Sequence, residues 1–281
     1  YFQKQYENDI VKNNDEEKTK QLKKLVTPFI LRRNKKEVLT ELPDKIEQNM
    51  ILPFNDEEEK IYVANLAKVN EELQQLYDIE GSDKMQILKM LTRLRQLCLE
   101  PRLVYDNIDQ PSSKLKACME LIKTMQENKQ KVLLFSSFTS ALDLIAEECQ
   151  KAGITYYMLT GSTNKEERRE LVSRFQKDDT TLFLISLKAG GTGLNLTSAE
   201  NVIHYDPWWN VSAQNQATDR AYRIGQKSNV QVFNLVMKDS VEEKIVELQK
   251  RKKELADMFV ENNSGGLSQM SKEDILSLFT M

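Results

Sequence analysis

The chain has 281 residues, 40% apolar and 30% charged, enough for a buried core in one large domain or two small ones. Its 40 Lys and Arg against 43 Asp and Glu give a formal charge of −3, an average that argues against a nucleic-acid binder. One histidine, His204, and three scattered cysteines, Cys98, Cys118 and Cys149, supply no zinc-ligand set, and a Ser-His-Asp machine would have to be built around His204 alone. The cysteines are expected to be reduced thiols. No stretch approaches the roughly 18 apolar residues that span a membrane, and no signal-peptide pattern opens the chain. The expectation is a soluble intracellular protein with no metal site and no membrane partner.

In chain order, Glu16–Phe29 places Leu22, Leu25, Val26 and Phe29 at helical spacing, with Pro28 as a stop. Lys45–Pro53 reads as one extended strand. Glu57–Tyr77 repeats Ile61, Leu66, Val69, Leu73 and Leu76 on one face, and Met85–Leu99 repeats Leu88, Leu91, Leu94 and Leu97–Cys98. The loop Asp106–Ser113, with Asn107, Asp109 and Pro111, then divides the chain. Beyond it the short runs Val132–Phe135, Thr155–Leu159, Leu182–Ile185, Asn201–Tyr205 and Val230–Val236 read as strands covered on both faces. Ser140 with Asp143, Thr163 with Glu166, Ser240 with Glu243 and Ser271 with Asp274 have capping-box spacing and mark helix starts between or after them. Strand and helix alternating in this way imply parallel strands with crossover helices. Residues from about 112 to 240 are expected to form an α/β domain, the first 111 a helical lead-in, and Asn262–Gly266 a linker before a last short helix.

The chemistry begins with an absence. No G-x-x-x-x-G-K-[ST] occurs, and no acidic pair follows an apolar strand as metal-binding carboxylates would. The acidic run Asp56–Glu59 reads as a helix start, where negative charge meets the positive end of the dipole. This chain alone is therefore not expected to hydrolyse a nucleoside triphosphate. Gly190-Gly191-Thr192-Gly193 follows a strand, where backbone N–H groups could approach a phosphate; an ordinary βα loop explains it as well. A dinucleotide-binding fold is disfavoured, because Gly191-x-Gly193-x-x-Leu196 lacks the third glycine and no helix is evident after it. Gln216, Arg220 and Arg223, spaced four and three apart, share one face of a helix after Asn210. Guanidinium forks there suit phosphate and the charge that develops in phosphoryl transfer. The competing reading is a local Asp219–Arg223 pair worth about 0.3–0.5 kcal/mol. His204 reads as a packed strand-end residue, and Trp208 and Trp209 as anchors bracing a turn rather than base-stacking platforms. The run Lys18–Lys36 carries eight basic residues and no acid, as a DNA-facing patch or a solvated helix surface would.

These residues carry a resemblance. Gln216–Gln226 (QATDRAYRIGQ) resembles the last helicase motif of SWI/SNF-type, superfamily-two DNA translocases. Ser186–Leu196 (SLKAGGTGLNL) is similar to their fifth motif, Lys131–Phe138 (KVLLFSSF) to the fourth, and Leu159–Phe175 to the stretch after it. His204–Asn210 (HYDPWWN) resembles the segment joining the fifth and last motifs. Upstream, Thr27–Lys45 and Leu94–Leu103 resemble the text entering the second lobe. The likeness runs in order over nearly the whole chain. It departs at Val211, where the family usually has proline, and at Ala213-Gln214-Asn215.

The resemblance implies a RecA-like second helicase lobe, α/β with a parallel sheet flanked by helices, over 112–262. Residues 1–111 would be lead-in and protrusion, and 263–281 a linker and short helix. It implies half of an ATP hydrolase, inactive in isolation, whose missing first lobe is its partner and binds most of the ATP and Mg2+. Arg220 and Arg223 would be arginine fingers on the γ-phosphate, with Gln216 positioning them and Gly191 and Gly193 beside the nucleotide. Gly191, Thr192, Gly193 and Asn195 would couple that site to double-stranded DNA. Ser137, Thr160, Gly161 and Ser162 would lie on the DNA track, joined by Arg32 and Arg33 of the basic run. Phosphate contacts of this kind position a duplex without reading it. Phe2–Ile10 resembles mid-protein text, so a fragment is expected. Ser271–Phe279 resembles the ends of bacterial members, so a bacterial, nucleoid-associated cytoplasmic protein is expected, or a nuclear one if eukaryotic. The alternative is a non-catalytic nucleic-acid- or protein-binding module, told apart by whether a phosphate loop is encoded upstream.

Overall fold

Strands apolar along both faces need cover on both faces, and all five runs read after residue 112 join one sheet, four of them buried inside it and Tyr156–Leu159 at its edge. The computed structural model describes residues 42–77, 84–190 and 193–258, and before them only Glu17, Gln21, Lys24 and Leu25. Most of the helix read over Glu16–Phe29, the residues Arg32, Arg33, Gly191 and Thr192, and the cap read at Ser271 lie outside the described residues. The chain divides into two units, and the larger, carrying Leu42–Lys250, is the one described below.

The sheet consists of β1 (Lys45–Leu52), β2 (Val132–Ser136), β3 (Tyr156–Leu159), β4 (Leu182–Ser186), β5 (Asn201–His204) and β6 (Val230–Met237). The six strands run in the order β1-β6-β5-β2-β4-β3 with every pairing parallel. β1 comes from within the helical lead-in and pairs along its whole length with β6, Lys45 opposite Val230 and Leu52 opposite Met237. Its position at the edge explains why Ile46 and Ile51 remain exposed while β2 and β4 are wholly buried.

Alternate residues of the inner strands feed two cores, as the period-two pleat requires. Val132, Leu134, Leu182, Leu184, Ile203 and Leu235 meet α3 (Ser113–Glu127), through Leu115, Cys118 and Ile122, and α4 (Thr139–Lys151), through Leu142, Ile145 and Cys149. On the opposite face Leu133, Phe135, Phe183, Ile185, Val202 and Val232 meet Phe175 of α5 (Lys165–Lys177) and the segment holding Ala217, Ala221 and Tyr222. A third core joins α1 (Asp56–Tyr77), α2 (Lys84–Leu99) and α8 (Val241–Met258), through Tyr62, Leu66, Leu91, Leu94, Ile245 and Leu248. Among the described residues α6 (Leu187–Gly190) and α7 (Val211–Thr218) are further α-helices, and Pro101–Leu103 forms one 3-10 turn.

The helix starts test the capping chemistry. Before α1, Asn55 Oδ1 accepts from the N–H groups of Glu57 and Glu58, and Glu58 Oε2 accepts from Asn55 N at 3.0 Å. This reciprocal box explains the acidic run as helix chemistry. At α8, Ser240 Oγ accepts from Glu242 N, but Glu243 reaches back to Asp239 N rather than to Ser240. Two expected caps are displaced. α4 begins at Thr139 with no side-chain cap on its first turn, so Ser140 does not act as one. α5 is capped by Asn164, whose Oδ1 accepts from Glu166 N and Glu167 N, while Thr163 Oγ1 accepts from Thr160 N and closes the preceding turn. An amide oxygen one residue later reaches the same N–H groups, and the spacing rule does not separate the two.

One ionic contact lies wholly inside. Lys114 Nζ sits 2.7 Å from both carboxylate oxygens of Glu242, with neither side chain exposed. Glu242 Oε2 also accepts from Met237 N at 2.9 Å. Burial pushes the Glu242 carboxyl up, and Lys114 and that N–H oppose it. Such a pair costs little to replace whole and much to halve. Lys114→Met should lower unfolding stability in urea by about 3–5 kcal/mol, and Lys114→Met/Glu242→Leu should regain most of it. A double variant no more stable than the single one would show that the uncompensated charge is not the cause.

Candidate active-site half and nucleic-acid interface

Because every strand is parallel, the loops leaving β2, β3, β4 and β5 gather at one edge of the sheet. Adjacent strands β2 and β5 send their connections in opposite directions, to β3 and to β6, which makes their carboxyl ends the topological switch point. In many open sheets a ligand fills that crevice; here the protein's own charges do. Asp206, two residues past β5, accepts from Ser136 Oγ at 2.7 Å and from Ser137 N at 3.0 Å. Its other oxygen accepts from Ser137 Oγ and from Arg95 Nη2, the latter at 2.7 Å. Arg95 reaches in from α2, and its guanidinium lies 4.8–5.3 Å from the ring centres of Phe138, Trp208 and Trp209. Both charges are about 95% buried. Sequence reasoning missed Arg95 and Asp206. Asp206 stands inside the HYDPWWN segment, but its partner lies 111 residues away. Trp208 and Trp209 are the anchors expected of them.

His204 ends β5 against the ring of Phe135, 5.7 Å between centres, with Nε2 2.9 Å from Thr218 Oγ1. Burial drives its pKa down to about 4, against the opposing pull of Glu47 and Asp206. It is a neutral core residue, as its place at a strand end suggested.

The segment after β4 is built on close approach. α6 ends at Gly190, which is buried so tightly that an added Cβ would lie 3.0 Å from Phe135 Cε1 and 3.4 Å from Ile185 Cγ2. Gly193 holds φ at +45°, a conformation that favours glycine. Leu194 and Leu196 are buried and Asn195 between them is exposed, its carbonyl accepting from Gln176 Nε2 at 2.8 Å.

The expected helical face bearing Gln216, Arg220 and Arg223 is not a single helix. α7, capped by Asn210, stops at Thr218. Gln216 is on it, exposed, while Arg220 and Arg223 follow in turns closed by Arg220 N to Ala217 O and Ala221 N to Thr218 O, both at 3.1 Å. The chain turns there because Ala217, Ala221 and Tyr222 are pulled into the core and Gly225, at φ +103°, reverses direction. Gln226, also overlooked, plugs this turn: Nε2 donates to Ala199 O at 2.8 Å and Ala221 O at 3.2 Å, and Oε1 accepts from Lys227 N and Ser228 N.

The backbone turn holds Arg220 at two points. Its Nε donates to Gly190 O at 2.9 Å, and its own carbonyl accepts from Leu196 N at 3.0 Å. Burial lowers its pKa, and the neighbouring charge of Arg223 lowers it further, with Asp219 opposing. Two like charges held together, one half-buried, form a place that an anion stabilises. Arg223 and Ile224 are exposed beside it.

Among the expected DNA-track residues, Thr160, Gly161 and Ser162 follow β3, with Gly161 and Ser162 exposed and Thr160 Oγ1 2.8 Å from Ser162 Oγ. Ser137 is half-buried, and its hydroxyl is engaged by Asp206 and Arg95. Among the described residues no group of three or more His, Cys, Asp or Glu could hold a metal ion, and no helix is long and apolar enough to cross a membrane.

A parallel sheet flanked by helices, with an arginine-bearing turn and a glycine segment at its carboxyl edge, defines a RecA-like helicase lobe. Residues 1–103 match the SNF2-related domain and 113–225 the helicase conserved C-terminal domain. The putative ATP-dependent helicase/translocase YwqA of Bacillus subtilis is 36% identical over 289 residues, covering all of this chain and 31% of that protein. The Sulfolobus solfataricus SWI2/SNF2 ATPase core in complex with dsDNA is 31% identical, TM-score 0.68, over 99% of this chain and 59% of that one. The C-terminal part of the Fun30 ATPase domain is 27% identical, TM-score 0.68, over 85% of this chain and 98% of that one. The chain belongs to the SWI/SNF-type family of ATP-dependent helicases and corresponds to its C-terminal RecA-like lobe. It spans 26% to 31% of the length of the curated relatives it matches first.

The buried histidine sets a pH dependence. A group whose folded pKa of about 4 lies below its ordinary 6.5 leaves the unfolded chain holding the extra proton between those values. Stability is then lost as pH falls from about 6.5 and levels off near 4, by on the order of 3 kcal/mol in all. Urea unfolding across this range should show the excess loss in the wild type relative to His204→Gln. Parallel curves for the two proteins would remove His204 as the source.

Proposed function

We propose that this lobe is the second half of a double-stranded-DNA-dependent ATPase, with Arg220 and Arg223 as its arginine fingers. The observation that carries the reading is the double hold on Arg220. A guanidinium fixed through Nε to Gly190 O and through its backbone to Leu196 N keeps its terminal nitrogens directed by the fold rather than by solvent. Its depressed pKa beside Arg223 fits a site completed by a polyanion. ATP with Mg2+, carried mainly by a first lobe, supplies the transferable γ-phosphoryl group and its charge neutralisation. Arg220 and Arg223 stabilise the negative charge that spreads over that group in the transition state, and Gln216 on the last turn of α7 supports their placement. Because these contacts strengthen in the transition state, their loss falls on turnover more than on nucleotide binding.

Toward DNA, Thr160, Gly161, Ser162, Gly193 and Asn195 offer hydroxyls, an amide and backbone groups at the same sheet edge. Ser137 lies at the same edge, but both its hydroxyl and its N–H are committed to Asp206 and Arg95, so its part is to hold the end of β2 in place rather than to donate to phosphate. Thr192 and Gly191 belong to the same glycine segment in sequence, and Arg32 and Arg33, outside the described residues, are assigned to phosphate contact on the family resemblance alone. Such contacts position any duplex equally and suit stepping along it. The dsDNA complex of the Sulfolobus solfataricus relative supports this reading.

ATP turnover of the two-lobe enzyme, with and without duplex DNA, tests the proposal. Arg220→Ala and Arg223→Ala should each lower DNA-stimulated kcat by about 10³ or more, with far smaller change in KM for ATP. Wild-type turnover in both variants would refute the finger assignment and favour a module that only binds.

A further inference from the structure

Arg220 is not alone on the α6 backbone. Arg168, on the first turn of α5, donates from Nη1 to Ala189 O at 3.2 Å, and Arg220 donates from Nε to the next carbonyl, Gly190 O, at 2.9 Å. Two guanidinium groups from different elements therefore hold consecutive carbonyls of one four-residue helix. The peptide between those carbonyls is therefore a shared backbone element through which the setting of one guanidinium bears on the other. A helix this short satisfies almost none of its own carbonyls, which makes outside donors the main determinants of its setting. Gly190 is already pressed against Phe135, so the short helix cannot absorb a displacement by sinking toward the sheet.

On its other side Arg168 is tied to the loop after β3. Asn164 caps α5, with Arg168 N donating to Asn164 O at 3.0 Å, and Thr163 Oγ1 accepts from Thr160 N at 3.0 Å. The span from Thr160 to Arg168 is thus one closed turn followed by one helical turn, stiff on the scale of a hydrogen bond. We propose that Arg168 is a positioning residue that transmits the setting of the 160–163 loop, through the Ala189–Gly190 backbone, to Arg220. The inference rests on reading Arg220 as a finger and the 160–163 loop as a DNA contact. It gives duplex binding a short physical route to the nucleotide site within this lobe.

The test uses the two-lobe enzyme as wild type, Arg168→Met, Arg168→Lys, Arg220→Lys and the double variant Arg168→Met/Arg220→Lys. Arg168→Met should lower DNA-stimulated kcat about tenfold, the scale of one lost hydrogen bond, with KM for ATP and Kd for duplex DNA within about twofold of wild type. Arg168→Lys, which keeps a donor for Ala189 O, should recover part of that loss. In the Arg220→Lys background Arg168→Met should add little, because both changes act on one group. An equal loss in both backgrounds would overturn the proposal, as would unchanged kcat or a weakening of duplex affinity that accounts for the lost turnover. Wild-type kcat in Arg220→Lys and Arg220→Ala would overturn the finger reading and this proposal with it, a result distinct from additivity.

Discussion

The carboxylate of Asp206 is the contact on which the carboxyl edge of the sheet depends. It ties together three parts of the chain: the end of β2 through Ser136 and Ser137, its own strand β5, and α2 through Arg95, which also donates to Ser137 Oγ. An isolated carboxylate at this depth would be prohibitively costly. Four donors and an aromatic enclosure around the guanidinium make it tolerable, and the requirement for all of them at once fixes where each element ends. The same arrangement fills the switch-point crevice with protein charge. In the function proposed for this lobe, ligand contacts therefore fall outside that crevice, on residues after β3 and on the turn that carries Arg220 and Arg223.

The lobe contains a second ionic bond of the same kind, Lys114 with Glu242, and the two divide the labour. Arg95–Asp206 orients the sheet edge, whereas Lys114–Glu242 clamps α3 to the start of α8 and to the end of β6 through Met237 N. Both join residues more than a hundred positions apart. Packing alone would let helices slide along an apolar sheet; buried charges that must meet a partner restrict them to one register.

The periodicity of apolar residues made the architecture legible. Each of the five runs after residue 112 is a strand to within about one residue; continuous burial leaves a continuous apolar text in the inner strands, and β3 at the edge is only half-buried. The amphipathic faces of α1 and α2 were equally plain. Three things were hidden, for physical reasons. β1 reads as an isolated extended stretch, since parallel pairing to β6 joins residues 185 positions apart and leaves no local signal. The helical phase of Gln216, Arg220 and Arg223 was read past the true end of α7, because Ala217, Ala221 and Gly225 bend the chain through tertiary contacts that periodicity does not see. The partnership of Arg95 with Asp206 was invisible because charge pairing across 111 residues has no spacing rule. The identities of the edge-loop residues came from family resemblance; only their exposure and bonding are matters of geometry.

The net charge of −3 says nothing about where this lobe meets an anion, and the structure explains why. Three of the arginines at the sheet edge are either neutralised in the interior or donate to backbone carbonyls. Arg95 is spent on Asp206, and Arg168 and Arg220 are spent in part on Ala189 and Gly190. A carbonyl takes a hydrogen bond from a guanidinium but leaves its full positive charge in place, whereas a carboxylate cancels it. The bond from Arg220 Nε to Gly190 O therefore fixes that side of the guanidinium without itself cancelling the charge. In the finger role proposed for Arg220, an arginine neutralised by an aspartate would be as rigid and nearly useless. One held by solvent would keep its charge but would have to be ordered at each turnover. The backbone anchor meets both demands, and the cost of ordering is met once, when Gly190 packs against Phe135 during folding.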